Sequence, residues 1–367
     1  MDKIDVFLEA HNFSSFYLKI ILSFLTSLFI TYFSVPTIIK ISRNKNLMDE
    51  PGQRSSHEKK IPNLGGIALF FSISVTASIF AYQLFDLYKF LFASLVIFLY
   101  IGVMDDIVVL RAYKKLLAQI IVAAMLVIGS DVRIRNLFGI FGIFEINYFV
   151  SVIFSIFFFI VLINAFNLID GIDGLAGSYG IICFAMFGIS YYRLGEYNYP
   201  LVIFSTTIIG AVLGFLYYNL SDKNKKIFMG DTGSMLVGFL LAFTAMCFLD
   251  IFIAKKGIYY YLEAAPAIAV GILILPIVDT LNVIIIRLSE KRSLFEADKN
   301  HIHHKLLKLG LSHKKATLYI ILYFLFIVAT AYFLRHVEVN ILLVILVTLG
   351  FAGAYLPDLL MKKNNNI

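Results

Sequence analysis

Charge is scarce in this chain. Of its 367 residues only 15% are Asp, Glu, Lys or Arg, against 60% apolar, and the mean hydropathy is +0.86. Soluble domains carry about one-quarter charged residues, so that class is excluded, together with the disordered and collagen-like ones. Cysteine is scarcer still. Cys183 and Cys247 both lie within apolar runs, a setting that suggests neither a disulfide nor a metal site and suits two small buried apolar residues. No fixed-period repeat is visible, so nothing supports an inverted-repeat transporter. A cleavable leader is also not expected, because the first apolar run, residues 16–39, is too long for a signal h-region and follows a polar N-terminus.

Long apolar runs fill the rest. Eleven spans are expected, at roughly 16–40, 64–84, 89–104, 115–129, 148–166, 175–192, 199–220, 233–253, 263–288, 317–334 and 340–360, each near the ~20 residues a helix needs to cross a bilayer core. The expected fold is therefore an all-α polytopic integral membrane protein, one domain over 1–367. The third and fourth spans are short enough to form a re-entrant pair instead. Residues 130–147 alternate apolar side chains with Arg, Asn and Gly, which predicts a small outer β-hairpin. The net charge of +7 reports topology rather than a nucleic-acid partner: one set of alternate loops carries 22 Lys and Arg, the other set with the N-terminal tail 9. The positive-inside rule then predicts an outer N-terminus and a cytoplasmic C-terminus.

Polar residues that hydropathy does not require gather in the predicted cytoplasmic loops, near 42–66, 105–115, 164–176, 221–234 and 289–316. Asp105 and Asp106 end an apolar helix, where the dipole is already negative, so a cation is expected beside them, from Lys114, Lys115 or a divalent metal. Asn167, Asp170 and Asp173 recur every three residues around Gly171 and Gly174 in a loop without Lys or Arg. That pattern suits Mg²⁺ held by few protein oxygens and completed by phosphates. It lacks the twelfth-position Glu of an EF-hand. Phe228-Met229-Gly230-Asp231 precedes a helix, where Ser234 and free N–H groups could meet a phosphate while Asp231 faces a metal; an N-cap would explain Asp231 equally well. His301, His303 and His304 sit among lysines, including Lys299 and Lys305, which suits an anionic ligand better than zinc. Asp279, within the ninth span, is expected to be functional and to pair with Asn282 on the same helix face.

Taken together, Pro62-x-x-Gly65-Gly66, Asp105-Asp106, Asn164-x-x-Asn167-x-x-Asp170-Gly-x-Asp173-Gly, Phe228-Met-Gly-Asp231 and the 301–304 loop resemble the polyprenyl-phosphate N-acetylhexosamine-1-phosphate transferases, in order, over about residues 40–310. The resemblance implies transfer of a sugar 1-phosphate from a cytoplasmic UDP-sugar to undecaprenyl phosphate, with release of UMP, in the bacterial inner membrane. It implies Mg²⁺, with Mn²⁺ as a substitute, and metal ligands Asn167 and Asp231. Lys60, Asp173 and Phe228 would lie near the uridine and Lys115 near the diphosphate, with Gly65, Gly66 and Asn219 among the substrate-binding positions. Asp105, Asp106, Asp170, His301, His303 and His304 would be catalytic. Asp279 and the Asp298-x-x-His301-x-His303-His304 spelling resemble the branch using UDP-GlcNAc at the start of a surface glycan rather than the muramyl-pentapeptide branch, which stays open as an alternative. The implied partners are the UDP-sugar, the lipid phosphate and the bilayer, with a homodimer as a further candidate and no nucleic acid.

Overall fold

The computed structural model describes residues 15–49, 60–221, 224–254, 262, 264–293 and 300–365. Parts of two expected site loops, residues 50–59 and 294–299 with Asp298 and Lys299, lie outside them.

Apolar segments this long become helices because lipid offers the backbone no hydrogen-bond partner. Among the described residues ten helices are long and apolar enough to cross a membrane. In chain order the helices are α1 Ser15–Asn44, α2 Gly65–Phe80, α3 Gln83–Leu87, α4 Leu91–Val108, α5 Ala112–Ala124 (prolonged by a π-turn, Met125–Gly129), α6 Tyr148–Ile169, α7 Leu175–Arg193, α8 Tyr199–Asn219, α9 Gly230–Ala254, α10 Ala265–Ser289, α11 Ile302–Lys308, α12 His313–Phe333 and α13 Val339–Asn365. Ten of the expected spans are these ten helices. The remaining one, α2, has 16 residues and reaches only about 24 Å at 1.5 Å per residue. It begins where expected and stops early, at Phe80, before the short α3; its first residues join the site, as described below. The third and fourth expected spans are separate helices of full length.

Helix α9 is the hub. It packs against α2, α4, α6, α7 and α10 and is enclosed almost throughout, whereas α1 and α13 leave most of their surface outward. Small residues let backbones approach. In α1, Ser23, Ser27 and Thr31 form the buried stripe that meets Gly210 and Gly214 of α8, where an added Cβ would fall 2.2 Å from Ser27 Oγ and 2.7 Å from Leu28 O. A Cβ on Gly102 of α4 would fall 2.4 Å from Thr232 Cα of α9. The outward faces carry the large apolar side chains that lipid tolerates, such as Phe33, Phe149, Ile153 and Phe333.

The expected hairpin is present. Strands β1 Asn136–Ile140 and β2 Ile143–Glu145 pair antiparallel, with Ile140 opposite Ile143. Phe141 and Gly142, both at positive φ, make the turn, and Asn340 at the start of α13 ties it down by accepting from Phe141 N at 2.9 Å. Helix α6 starts beside this hairpin and ends at Asp170. Hairpin and polar loops therefore occupy opposite ends of the helical body.

Candidate active site

At the other end, three backbone segments are locked before any side chain matters. Phe228 N donates to Pro62 O at 2.8 Å, and Gly65 N and Gly66 N, at the start of α2, donate to Phe228 O and Met229 O at 3.0 and 2.9 Å. Gly66 must be glycine because a Cβ would lie 2.2 Å from Gly233 N. Gly230, at φ +69°, turns the chain into α9 and leaves no room for a Cβ, which would sit 2.0 Å from Asn63 O. The two motifs thus build one joint, and Gly65 and Gly66 support the site from beneath rather than line it.

That joint aims the first turn of α9 at the end of α4. Asp106 Oδ1 accepts from Asp231 N at 2.8 Å, and its Oδ2 accepts from Thr232 N at 3.0 Å and Thr232 Oγ1 at 2.6 Å. An acid on a helix N-terminus satisfies orphan donors and the positive end of the dipole. Two of the N–H groups expected to be free for a phosphate, those of Asp231 and Thr232, are therefore taken, and Asp231 is the capped residue rather than the cap.

The carboxylate of Asp231 is then free for side chains. Lys115 Nζ lies 2.7 Å from its Oδ2 and also pairs with Asp105, whose Oδ1 accepts from Leu110 N at 2.7 Å. Of the two lysines expected beside the Asp pair, Lys115 thus fills the role, and it serves Asp105 and Asp231 together. Asn167 Nδ2 donates to Asp231 Oδ1 and Ser234 Oγ, both at 2.7 Å. Asp170 is part-exposed to the cavity and has no protein hydrogen bond among the described residues. Burial raises its carboxyl well above the usual range, and the charges of Asp231, Asp173 and Asp106 add to the shift. Asp173 goes the other way: burial pushes it up, but His313, 3.2 Å away, and Lys226, at 2.5 Å, outweigh that and hold it below the usual value. Asn219 Oδ1 accepts from Gly174 N at 2.7 Å while its Nδ2 donates to Ile227 O at 3.0 Å, fastening the Asp loop to the segment that carries Phe228.

These groups open on one cavity of about 570 Å³, lined by Asp105, Asp106, Lys115, Asn167, Asp170, Asp173, Asn219, Phe228, Asp231, Ser234 and His304, with Asn63 and Met48 at its edge. Residues 87–249 match the sequence profile of glycosyl transferase family 4. A Bacillus subtilis protein named as a probable undecaprenyl-phosphate N-acetylglucosaminyl 1-phosphate transferase is 30% identical over 83% of this chain and 82% of its own. The chain belongs to glycosyl transferase family 4. A Haemophilus influenzae undecaprenyl-phosphate alpha-N-acetylglucosaminyl 1-phosphate transferase is 31% identical over 75% of each chain. The Mycobacterium tuberculosis decaprenyl-phosphate N-acetylglucosaminephosphotransferase is 30% identical over 82% of this chain and 78% of its own.

The stretch matched by the family profile carries every cavity carboxylate named above but ends well before the histidines. Helix α11 brings those in from α10. Asp279 accepts from Ile302 N at 2.8 Å, which caps α11, and lies 2.8 Å from His301 Nδ1. Asp279 therefore pairs with the histidine loop and not with Asn282, whose buried side-chain amide has no partner among the described residues; the two lie on one helix face, but the loop supplies better donors. Lys305 is not available to an outside anion either. It is buried and paired at 2.6 Å with Asp358 of α13. Held this way, His301 and His303 are buried and stack nearly parallel, 5.7 Å apart, while His304 reaches the cavity. A Cβ on Gly171 would fall 2.2 Å from His303 Nε2, so this glycine is what lets the histidine helix close on the Asp loop. Burial drives the His303 ring down to about 3, despite Asp279, with the other histidines adding to the effect. Lys60 lies beyond the cavity, on the exposed stretch next to the Asp49–Ile61 bridge.

Sequence reasoning missed Lys226 and His313 as partners of Asp173, Asp358 as partner of Lys305, and Asn63 at the rim. Lys226 stood two residues before Phe228 and was legible only as loop charge. Asp358 and His313 gave no signal, since nothing local joins them to their partners.

Among the described residues no three His, Cys, Asp or Glu groups stand ready to hold a metal ion together. The donors nonetheless suit a hard cation that keeps waters and phosphate oxygens. Asp231, Asp105 and Asp170 are oxygen-only ligands, Asn167 has its Oδ1 left over, Asp170 is unpartnered, and an ammonium already bridges two of the acids.

Proposed function

We propose that the chain transfers N-acetylglucosamine 1-phosphate from UDP-GlcNAc to undecaprenyl phosphate, releasing UMP, as the first membrane step of a surface glycan. The observation that carries this reading is the convergence of Lys115, Asp105, Asn167, Asp170 and Asp231 on one cavity, in a chain whose relatives are named for that transfer. The excess of basic loops at the cavity end supports a cytoplasmic site in the bacterial inner membrane, with an outer N-terminus and an inner C-terminus.

Attack of a lipid phosphate oxygen on the β-phosphorus brings two anions together. The site must therefore screen repulsion and hold an in-line geometry. Mg²⁺ on Asp231 and Asn167, with Asp170 beside it, would supply charge for the diphosphate oxygens. Lys115 stands between Asp105 and Asp231 and supplies a second positive charge to the same oxygens. The second pKa of a phosphate monoester is about 6, so the nucleophile is largely dianionic at neutral pH and needs no strong base. Asp105, fixed by Leu110 N and Lys115, orients rather than deprotonates. Neutral His303 braces His304, which faces the sugar phosphate. Phe228 and Asp173, the latter set by Lys226, face the uridine.

The test is UMP release by detergent-purified protein with undecaprenyl phosphate and Mg²⁺, comparing UDP-GlcNAc, UDP-GalNAc and UDP-MurNAc-pentapeptide. Turnover with UDP-GlcNAc and its loss on adding EDTA are expected. Turnover with the pentapeptide donor alone would place the protein in peptidoglycan synthesis instead.

A further inference from the structure

A second cleft, of about 420 Å³, opens where α1 and α8 end, and it shares no lining residue with the candidate active site. Its two halves differ in chemistry. Tyr32, Ile39 and Tyr217 line one half, with Tyr218 closing the back by donating from its hydroxyl to Tyr32 O at 2.9 Å. Lys40, Arg43 and Lys225 line the other, and no carboxylate stands among the described residues around it. Along α1 the aromatic end and Arg43 are eleven residues apart, roughly 16 Å at 1.5 Å per residue. A soluble anion would leave the aromatic half unused, and a neutral lipid would leave three cations unused.

We propose that this cleft binds one anionic phospholipid, its phosphate between Lys40, Arg43 and Lys225 and an acyl chain along Tyr32 and Ile39. Basic pockets between spans beside a water-facing aromatic belt are the usual setting for such headgroups. A phosphate held here cannot be the reacting one, because Lys115 and Asp231 belong to the other cavity. The site nonetheless reaches the reaction through one loop. Arg43 Nη2 donates to Asn224 O at 2.8 Å, Lys225 lines the cleft, and Lys226 next to it holds Asp173 at 2.5 Å. Two residues further on, Phe228 lines the active cavity. A bound headgroup therefore pins the loop that sets Asp173 and Phe228.

The proposal is independent of the donor sugar and is tested by binding. Thermal unfolding of the purified full chain would be followed while titrating phosphatidylglycerol, phosphatidylcholine with the same acyl chains, or undecaprenyl phosphate, and native mass spectrometry would count retained lipid. Phosphatidylglycerol should stabilise and be retained as one molecule, and phosphatidylcholine should not. Lys40→Gln, Arg43→Gln and Lys225→Gln, singly and combined in one triple variant, should weaken it roughly fivefold per charge removed, and Lys225→Gln alone, a loop change, keeps the test open should the triple variant fold poorly. Lys314→Gln with Lys315→Gln, exposed lysines elsewhere, should leave it unchanged. Equal effects of the two phospholipids, an equal loss in the Lys314/Lys315 control, or retention of undecaprenyl phosphate alone would each overturn the proposal.

Discussion

Replacing Asp106 separates a structural from a chemical role for the paired carboxylates. Its two oxygens receive two backbone N–H groups and a hydroxyl from the first turn of α9. A hydrogen bond to a charged group contributes about 1.5–3 kcal/mol net, so the two amides alone account for about 3–6 kcal/mol. Asp106→Ala leaves those donors without their acceptor at the cavity wall and should cost most of that sum. Asp106→Asn retains one acceptor oxygen and should cost about half as much, about 1.5–3 kcal/mol. Asp105→Asn should be milder, since Asp105 receives one backbone N–H and Lys115 retains Asp231. Unfolding can be read with a thiol-reactive fluorophore, because both cysteines are free and buried and react only when the helices open. The expected order of stability is wild type, Asp105→Asn, Asp106→Asn, Asp106→Ala. An Asp106→Ala protein that unfolds with the wild-type curve yet releases no UMP would refute the capping role and return Asp106 to the chemistry.

Asp231→Ala should abolish metal-dependent UMP release in folded protein, and Lys115→Met should reduce kcat far more than Lys115→Arg does; retained turnover in either would remove the assignment. Gly171→Ala pushes a methyl to 2.2 Å from His303 Nε2, so it should lower activity through the displaced histidine helix, and a wild-type rate would show that the rings can give way. His303 titrates near 3 in the folded chain and at about 6.5 when unfolded. The unfolded chain binds that proton first as pH falls, so His303 lowers stability progressively from about pH 6.5 towards 3. His303→Gln should flatten the dependence of melting temperature on pH between about 7 and 5, and an unchanged slope would refute the neutral, buried ring. Asp279→Ala strands Ile302 N–H and His301 Nδ1 together, so it should cost about 3–5 kcal/mol by the usual penalty for breaking a buried charged pair, with Asp279→Asn intermediate in the same unfolding assay.

The helical body was legible because each span must satisfy its own backbone in lipid, which makes hydropathy a local signal. Helix α2 was the exception: it starts where expected but stops at Phe80, where the chain breaks at Ala81 and Tyr82 before α3, a break that falls inside an unbroken apolar run. The hairpin was legible from the alternation of apolar side chains with Arg, Asn and Gly over residues 130–147. Within the site, residue types were legible and pairings were not. Local reasoning reaches three or four residues along a helix, so it paired Asp279 with Asn282, whereas the partner found is His301, 22 residues on. It placed a lysine near Asp105 correctly because Lys115 is close in sequence, and it could not see that the same ammonium holds Asp231, 116 residues away. Gly66, expected among the substrate-binding positions, and Gly171, expected in the Asp loop, act as points of close approach.

The same long separations order the assembly of the protein during synthesis. When α4 enters the membrane, the donors for Asp106 lie 125 residues downstream; Asn167 waits 64 residues for its acceptor Asp231, and Asp279 waits 22 for His301. Asp105 and Asp106 can wait, because a helix terminus keeps them at the water boundary. Asp279 lies deeper, and its wait is the shortest of the three. The first turn of α9 therefore acts as a latch that closes on earlier helices, and α11 closes after it, so a chain interrupted before residue 300 has its Asp105, Asp106 and Asp231 cluster already latched while Asp279 still lacks His301 and the Ile302 N–H.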